Sequence, residues 1–300
     1  MKYDYENDVA VREKIAETMM VEIDEFCEAS NDRRHSRRLG SSKIGESCSR
    51  EIWYGFRWAK KDELGSANRP AGRVIRLFNR GHREEPVLIQ HLINIGCTME
   101  EPPEGQEQFT FSSCEDHAVT KLDMIGYLPP KFQVVEKVMF EFKTANQNSF
   151  NAMKKNGIQV EQPKYWAQVC FSGRLTGLKY VLIVVVCKND DDIHIEFHRI
   201  DEGYGEMLES KAMHIITSKE PPLKISQSAT NFACKFCTYK NICHYDEPVE
   251  KNCRSCVHAT PGAEGKWLCT NPSFLFNGQG YMEIPEEVIH NGCDYHQGID

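Results

Sequence analysis

The sequence predicts an α/β domain, a mixed sheet flanked by helices, followed by a small cysteine-rich module. Helical spacing of apolar residues as far as residue 95 gives way, between residues 109 and 200, to short runs rich in β-branched and aromatic side chains. A helical interval separates the third of these runs from the fourth, the order of an α/β fold with parallel and antiparallel pairs. Seven of the thirteen cysteines then crowd between Cys234 and Cys293, where periodic patterning stops.

Three hundred residues at 40% hydrophobic content suit one elaborated domain with an appendage better than two full domains. From Val9 to Ala29, Ile15, Met19, Ile23 and Phe26 recur at close to helical spacing, so the chain opens on an amphipathic helix. An arginine-rich linker (SNDRRHSRRLGSS) follows. Ser41 or Ser42 is placed to cap a second helix carrying Ile44, Cys48, Ile52, Trp53 and Phe56. GSANRP punctuates the chain, and a third helix runs from Ala71 to Ile95 and stops at Gly96. Strands are expected at Phe109 to Phe111, Ala118 to Tyr127, Val134 to Lys143, Tyr180 to Cys187 and Ile193 to Ile200, with helices from Ser149 to Asn156 and Gln162 to Leu175 between the third and fourth. The expected organisation is a helix and basic linker over 1–40, the core domain over 41–245 and the appendage over 246–300.

A formal net charge of −8 argues against a protein that coats nucleic acid nonspecifically. The charge is uneven: Arg33 to Arg83 holds 14 Lys and Arg against 4 Asp and Glu, a local +10 that leaves −18 on the rest. Such a segment is either a directed phosphate-binding surface or a set of solvated cations paired with acids elsewhere. Within it Trp53, Tyr54, Phe56 and Trp58 interleave with Arg50, Arg57, Lys60 and Lys61. These residues either stack bases between phosphate contacts or form a helix with a buried aromatic face and a basic exposed one. No run approaches 18 apolar residues, and the first residues are too polar for a signal peptide. The chain therefore reads as soluble and cytoplasmic, with no membrane partner, in a reducing compartment where closely spaced cysteines ligate metals or clusters rather than form disulfides.

The chemistry concentrates in TKLDMIGYLP and VMFEFKTA. Asp123 sits in a strand-like segment just before a glycine-containing turn. In the next strand Glu141 and Lys143 point to one face while Phe140 and Phe142 point to the other. Two acids and an amine on adjacent strands are what phosphodiester hydrolysis needs: carboxylates supply hard oxygen ligands for Mg²⁺ or Mn²⁺, and a lysine can orient or help deprotonate a water. A charged strand face turned to solvent would have the same spacing.

Here the chain resembles PD-(D/E)XK nucleases of the RecB and lambda-exonuclease type, from Ser42 to about Cys243. RGHREE is similar to the family's helix motif, which implies a metal-binding or metal-orienting acid at Glu85, with Glu84 the competing choice and His82 a stand-in for a metal-binding histidine. The resemblance implies metal ligation by Asp123, Glu141 and the backbone carbonyl of Phe142, and water activation by Lys143. QPKYWAQVCFSG resembles the helix after the core, which assigns Gln168 and Tyr165 to the site or the DNA backbone. A family tyrosine four residues after the glutamine is Ser172 here. Arg50 and Arg80 are expected to contact nucleic acid. The implied fold is the restriction-endonuclease-like core. The implied activity is exonuclease-like hydrolysis of DNA, single- or double-stranded and probed from an end, in recombination, repair or replication, in a phage or mobile element and beside a recombination or replication protein. An endonuclease of the same fold and a binding module that no longer cuts are the alternatives.

Cys234, Cys237 and Cys243 form a C-x₂-C-x₅-C run that needs a fourth ligand. By spacing alone Cys48 is an ordinary buried helix cysteine, and His244 would complete a zinc site. The AddB-type and CRISPR-associated members of the family hold a 4Fe-4S cluster with one cysteine before the core and three after it, which implies Cys48, Cys234, Cys237 and Cys243 as ligands here. Cys253, Cys256, Cys269 and Cys293 fall outside the resemblance. Their CxxC start and long intervals suit Zn²⁺, with His258, His290 and His296 as substitutes. Cys27, Cys97, Cys114, Cys170 and Cys187 read as inert.

Overall fold

Alternation along the middle strands gives the sheet two apolar faces, and each face is covered. The computed structural model describes residues 8–30, 35–60, 71–275 and 280–299. In chain order the elements are α1 (Val9–Ala29), β1 (Leu39–Gly40), α2 (Ser41–Ile44), α3 (Ser49–Phe56), α4 (Ala71–Asn94), β2 (Thr98–Met99), β3 (Phe109–Ser113), β4 (Ala118–Leu122), β5 (Met124–Tyr127), β6 (Val138–Ala145), α5 (Gln147–Asn156), α6 (Ile158–Glu161), α7 (Pro163–Thr176), β7 (Tyr180–Cys187), β8 (Ile193–Arg199), α8 (Glu202–Thr217), α9 (Phe232–Lys235), α10 (Lys240–Tyr245), β9 (Ala259–Pro261), β10 (Trp267–Cys269) and β11 (Met282–Glu283).

The chain forms two units, Met1–Arg34 with Asp62–Val87, and His35–Lys61 with Leu88–Asp300. In the first, Asp8 caps α1 by accepting from the amides of Ala10 and Val11. Gly72 at the start of α4 donates its amide to Glu28 Oε1 at 2.9 Å. A Cβ there would lie 2.4 Å from the Asp24 carbonyl oxygen, so only glycine permits this approach. Arg76 pairs with Asp24. The apolar side of α1 is not buried, and Phe26 is 74% exposed.

In the second unit the main sheet has the order β2-β5-β6-β7-β8. β6 and β7 are parallel and the other neighbours antiparallel, so the sheet is mixed. Val138, Phe140, Phe142, Leu182, Val184 and Val186 pack on Leu88 and Leu92 of α4. The opposite face, with Met139, Val181, Ile183 and Val185, joins residues of α3, α7 and α8 in the larger core. β4 pairs with β1 in parallel and with β3 antiparallel in a second sheet.

Four expectations need correction. The strand expected over Ala118 to Tyr127 is two strands in different sheets, broken at Asp123, because its carboxylate rather than its backbone takes the Phe142 amide. Gly126 lies in a strand and not in a turn: a Cβ there would stand 2.1 Å from the Thr98 carbonyl, so the glycine lets β2 pair with β5. The expected second helix is divided after α2, because Gly45 packs where a Cβ would meet Ala167 at 2.9 Å, and Cys48 becomes the N-cap residue of α3. The region from Phe232 onward, expected to lack regularity, contains α9, α10 and a small antiparallel sheet, β11-β10-β9. No described helix is long and apolar enough to cross a membrane.

Candidate active site

β6 presents Glu141 and Lys143 on the face opposite Phe140 and Phe142, as alternation requires. Glu141 is 1% exposed. Its Oε1 accepts hydrogen bonds from Lys143 Nζ and, at 2.9 Å, from Gln168 Nε2 of α7. Asp123, at the junction of the two sheets, accepts the Phe142 backbone N–H on Oδ2 at 2.9 Å. The amide of Phe142 is thus its observed contribution. The Lys143 ammonium lies 5.2 Å from the centre of the Tyr165 ring. Asp123, Glu141, Lys143, Phe142, Gln168 and Tyr165 therefore form one linked group.

Burial, with the Asp123 charge beside it, pushes the Glu141 carboxyl up to about 7 against the pull of Lys143. Burial alone would lower Lys143, but Glu141 and Asp123 outweigh it and hold the ammonium above its ordinary value. The two carboxylates thus share one cation, and Glu141 readily holds a proton. Among the described residues no group of three or more His, Cys, Asp or Glu is placed to hold a metal ion. Two carboxylates that leave open positions match the habit of Mg²⁺, which keeps waters and takes its remaining ligands from substrate phosphates.

Glu85, Glu84, His82 and Arg80 belong to the first unit, on α4. There His82 Nδ1 lies 3.4 Å from Glu85 Oε1, and Arg80 Nε lies 3.7 Å from Glu84. In the basic segment Arg37 pairs with Glu286 at 2.6 Å and Arg38 with Asp116, so part of its charge is met by acids elsewhere in the chain. Arg33 and Lys61 lie outside the described residues. Trp53, Tyr54, Phe56 and Trp58 are all buried, and so is Arg57, so the aromatic face is core rather than an open stacking surface.

Cys48, Cys234, Cys237 and Cys243 line one cavity with Arg50 and His244. Arg50 donates to the Tyr54 hydroxyl and, at 3.2 Å, to the Pro222 carbonyl, so it belongs to this cavity. Burial pushes Cys237 up to about 11, with Glu51, Cys48 and Cys243 adding to the rise. Cys243 is raised by burial and eased by Arg50 and Lys224. Four thiols lining one cavity are the donor type that a cluster or a metal takes, and binding would displace their protons, but among the described residues they are not placed as a formed metal site. Glu51, one turn after Cys48, also lines this cavity, and the i, i+3 spacing was the available signal for it.

Cys253, Cys256, Cys269 and Cys293 line a second cavity of ≈ 270 Å³ with His258 and His296. Burial, with the three neighbouring thiols, pushes Cys253 up to about 11. These thiols too are the donor type of a thiophilic metal, again without the placement of a formed site among the described residues. His290 instead stacks on Trp58 at 4.6 Å. Cys97, Cys114, Cys170 and Cys187 are buried, and burial pushes Cys170 up to about 12, in keeping with inert cysteines.

No family model and no curated protein matches the sequence. Among solved structures the chain is similar to an alkaline exonuclease from Laribacter hongkongensis, with a TM-score of 0.41 and 14% identity over 60% of this chain and 87% of that one. The same exonuclease in complex with dAMP gives 0.40 and 14% over 60% and 86%. A phage-related exonuclease from Haemophilus somnus gives 0.40 and 11% over 61% of this chain and 92% of that one.

Proposed function

We propose that this chain is a metal-dependent deoxyribonuclease whose site is Asp123, Glu141 and Lys143. The observation that carries the reading is Glu141: a carboxylate 1% exposed, bonded to Lys143 and Gln168 and set against a second acid. A purely structural role would not need two acids competing for one amine in the interior. Bound Mg²⁺ or Mn²⁺ would supply charge neutralisation at the scissile phosphate and a more acidic water. Asp123 and Glu141 would hold it, with the Phe142 backbone beside them. The Phe142 amide fixes the Asp123 carboxylate, Gln168 fixes that of Glu141, and the Tyr165 ring confines the Lys143 amine. Lys143 orients the attacking water and steadies charge as the P–O bond breaks. The roles of Glu85 as a metal-orienting acid and of Arg80 as a nucleic-acid contact rest on the sequence resemblance alone.

The exonuclease-like preference for a DNA end, and a place in recombination, repair or replication beside a protein partner in a phage, rest on the sequence resemblance. Cys48, Cys234, Cys237 and Cys243 hold a 4Fe-4S cluster that ties the two ends of the nuclease domain. Cys253, Cys256, Cys269 and Cys293 hold Zn²⁺. The test is incubation with end-labelled linear and covalently closed circular DNA in Mn²⁺ or EDTA. Metal-dependent loss of the linear substrate alone supports the reading, cutting of the circle replaces it with an endonuclease, and binding without cleavage by metal-replete protein refutes catalysis.

A further inference from the structure

Two arginines beside the C-terminal cysteines are buried without an acid. Arg57 and Arg254 are each 1% exposed. Every hydrogen bond they make goes to a carbonyl: Arg57 to Ala259 at 2.8 Å, Ser218 at 3.2 Å and Arg254 at 3.4 Å, and Arg254 to Arg37 at 2.9 Å and to Phe56. The Nε atom of each has no partner. Aromatic rings supply the remaining surroundings. The Arg254 guanidinium lies 4.3 Å from Trp58, 4.5 Å from Trp267 and 4.6 Å from Phe56, and that of Arg57 lies 5.1 Å from Trp267 and 5.4 Å from Trp53. Trp58 adopts φ 53°, a left-handed conformation rarely taken by a bulky residue, and so carries backbone strain while its ring covers Arg254.

Carbonyl dipoles and ring faces ease this burial but leave two like charges uncancelled in a poorly polarisable interior. Burial pulls Arg57 down to about 10, and the neighbouring Cys256 sulfur is the group that offsets this fall. Arg254 stands between Cys253 and Cys256 in the CxxC turn, and Arg57 grips the Ala259 carbonyl just beyond it. The same two side chains therefore join the C-cap of α3 to the turn that brings two of the four thiols to the cavity.

We infer that Arg57 and Arg254 are the counter-charges of an all-thiolate centre. A divalent ion held by Cys253, Cys256, Cys269 and Cys293 carries two negative charges, and two guanidiniums balance them. The inference rests on the zinc reading above and sharpens it. A ligand set in which His258 or His296 replaced a cysteine would carry one negative charge or none and leave an arginine unmatched. His296 already has its Nε2 against Ser255 Oγ at 3.0 Å.

The test uses the full chain, with zinc measured by elemental analysis and Co²⁺ exchanged for it. The sulfur-to-cobalt absorption counts thiolates, and competition with a chelating dye gives affinity for the parent, Arg57→Met, Arg57→Lys and Arg254→Met. The expected result is a four-thiolate spectrum, an affinity loss of roughly 10–100-fold in Arg57→Met, as for outer-shell partners of metal sites, and substantial recovery in Arg57→Lys. A three-thiolate spectrum overturns the inference while leaving a zinc site, as does parental affinity in Arg57→Met or an equal loss in the methionine and lysine variants. A parent that takes up neither metal refutes the zinc reading itself. If Arg254→Met does not fold, the parent spectrum and the two Arg57 variants decide.

Discussion

If Asp123 and Glu141 hold a divalent cation, lowering the pH from 8 to 5.5 should release it far more than from a site built on ordinary carboxylates. Glu141, with its carboxyl pushed up to about 7, must lose its proton to ligate a metal. A single group titrating there is about 90% ionised at pH 8 and about 3% at pH 5.5, so Mn²⁺ affinity should fall about 30-fold. A group at the ordinary value of 4.5 would lose about a tenth over the same range. Isothermal titration of Mn²⁺ into metal-free protein measures this, with Glu141→Gln as the control that should bind weakly and without that dependence. Linkage gives a second readout. Because Glu141 binds its proton more tightly folded than unfolded, its contribution to stability is full below about 4.5 and is lost as the pH rises through about 7. The unfolding free energy of the parent should therefore gain on that of Glu141→Gln as the solution is acidified without metal. A parent whose Mn²⁺ affinity is flat between pH 8 and 5.5 would refute the claim that Glu141 is both buried and a ligand.

Other perturbations probe separate parts of the account. Gly126→Ala forces a Cβ to within 2.1 Å of the Thr98 carbonyl, and urea unfolding should show a loss of about 3 kcal/mol; a loss under about 0.5 kcal/mol would mean that β2 does not pair as described. Anaerobically purified protein should be brown and carry about four irons per chain, and Cys48→Ser should lose them, whereas colourless protein with zinc in both cysteine sets would contradict the cluster. Charge reversal at Arg33, Arg37 and Arg38 should flatten the salt dependence of DNA binding, and an unchanged slope would place the phosphate contacts elsewhere.

Local patterns in the sequence carried much of the fold. β7 and α1 begin and end where their residue patterns place them, and the period of two in VMFEFKTA puts Glu141 and Lys143 on one face. What was hidden depended on atoms distant in sequence. The break at Asp123 arises from an amide on another strand, and the division of the second helix from the approach of α7 to Gly45. β8 misleads in the same way. Its apolar Ile193, Ile195 and Phe197 are exposed, while His194 and His198 turn toward Glu196, which accepts the Ile158 amide. In the site, the sequence resemblance singled out Gln168, but its hold on Glu141 was not legible. Arg57 read as one cation of an aromatic and basic segment, and Arg254, 197 positions away, carried no local signal until the fold brought the two together.

The central claim divides labour between carboxylates that hold a cation and an amine that prepares the attack. It is tested most directly by measuring Mn²⁺ binding and cleavage of linear DNA on the same preparations of parent, Asp123→Asn and Lys143→Ala. The account predicts that Asp123→Asn loses both, whereas Lys143→Ala keeps bound Mn²⁺ at pH 8 and cleaves roughly 10²–10⁴-fold more slowly. Cleavage by Lys143→Ala at the parental rate would contradict it.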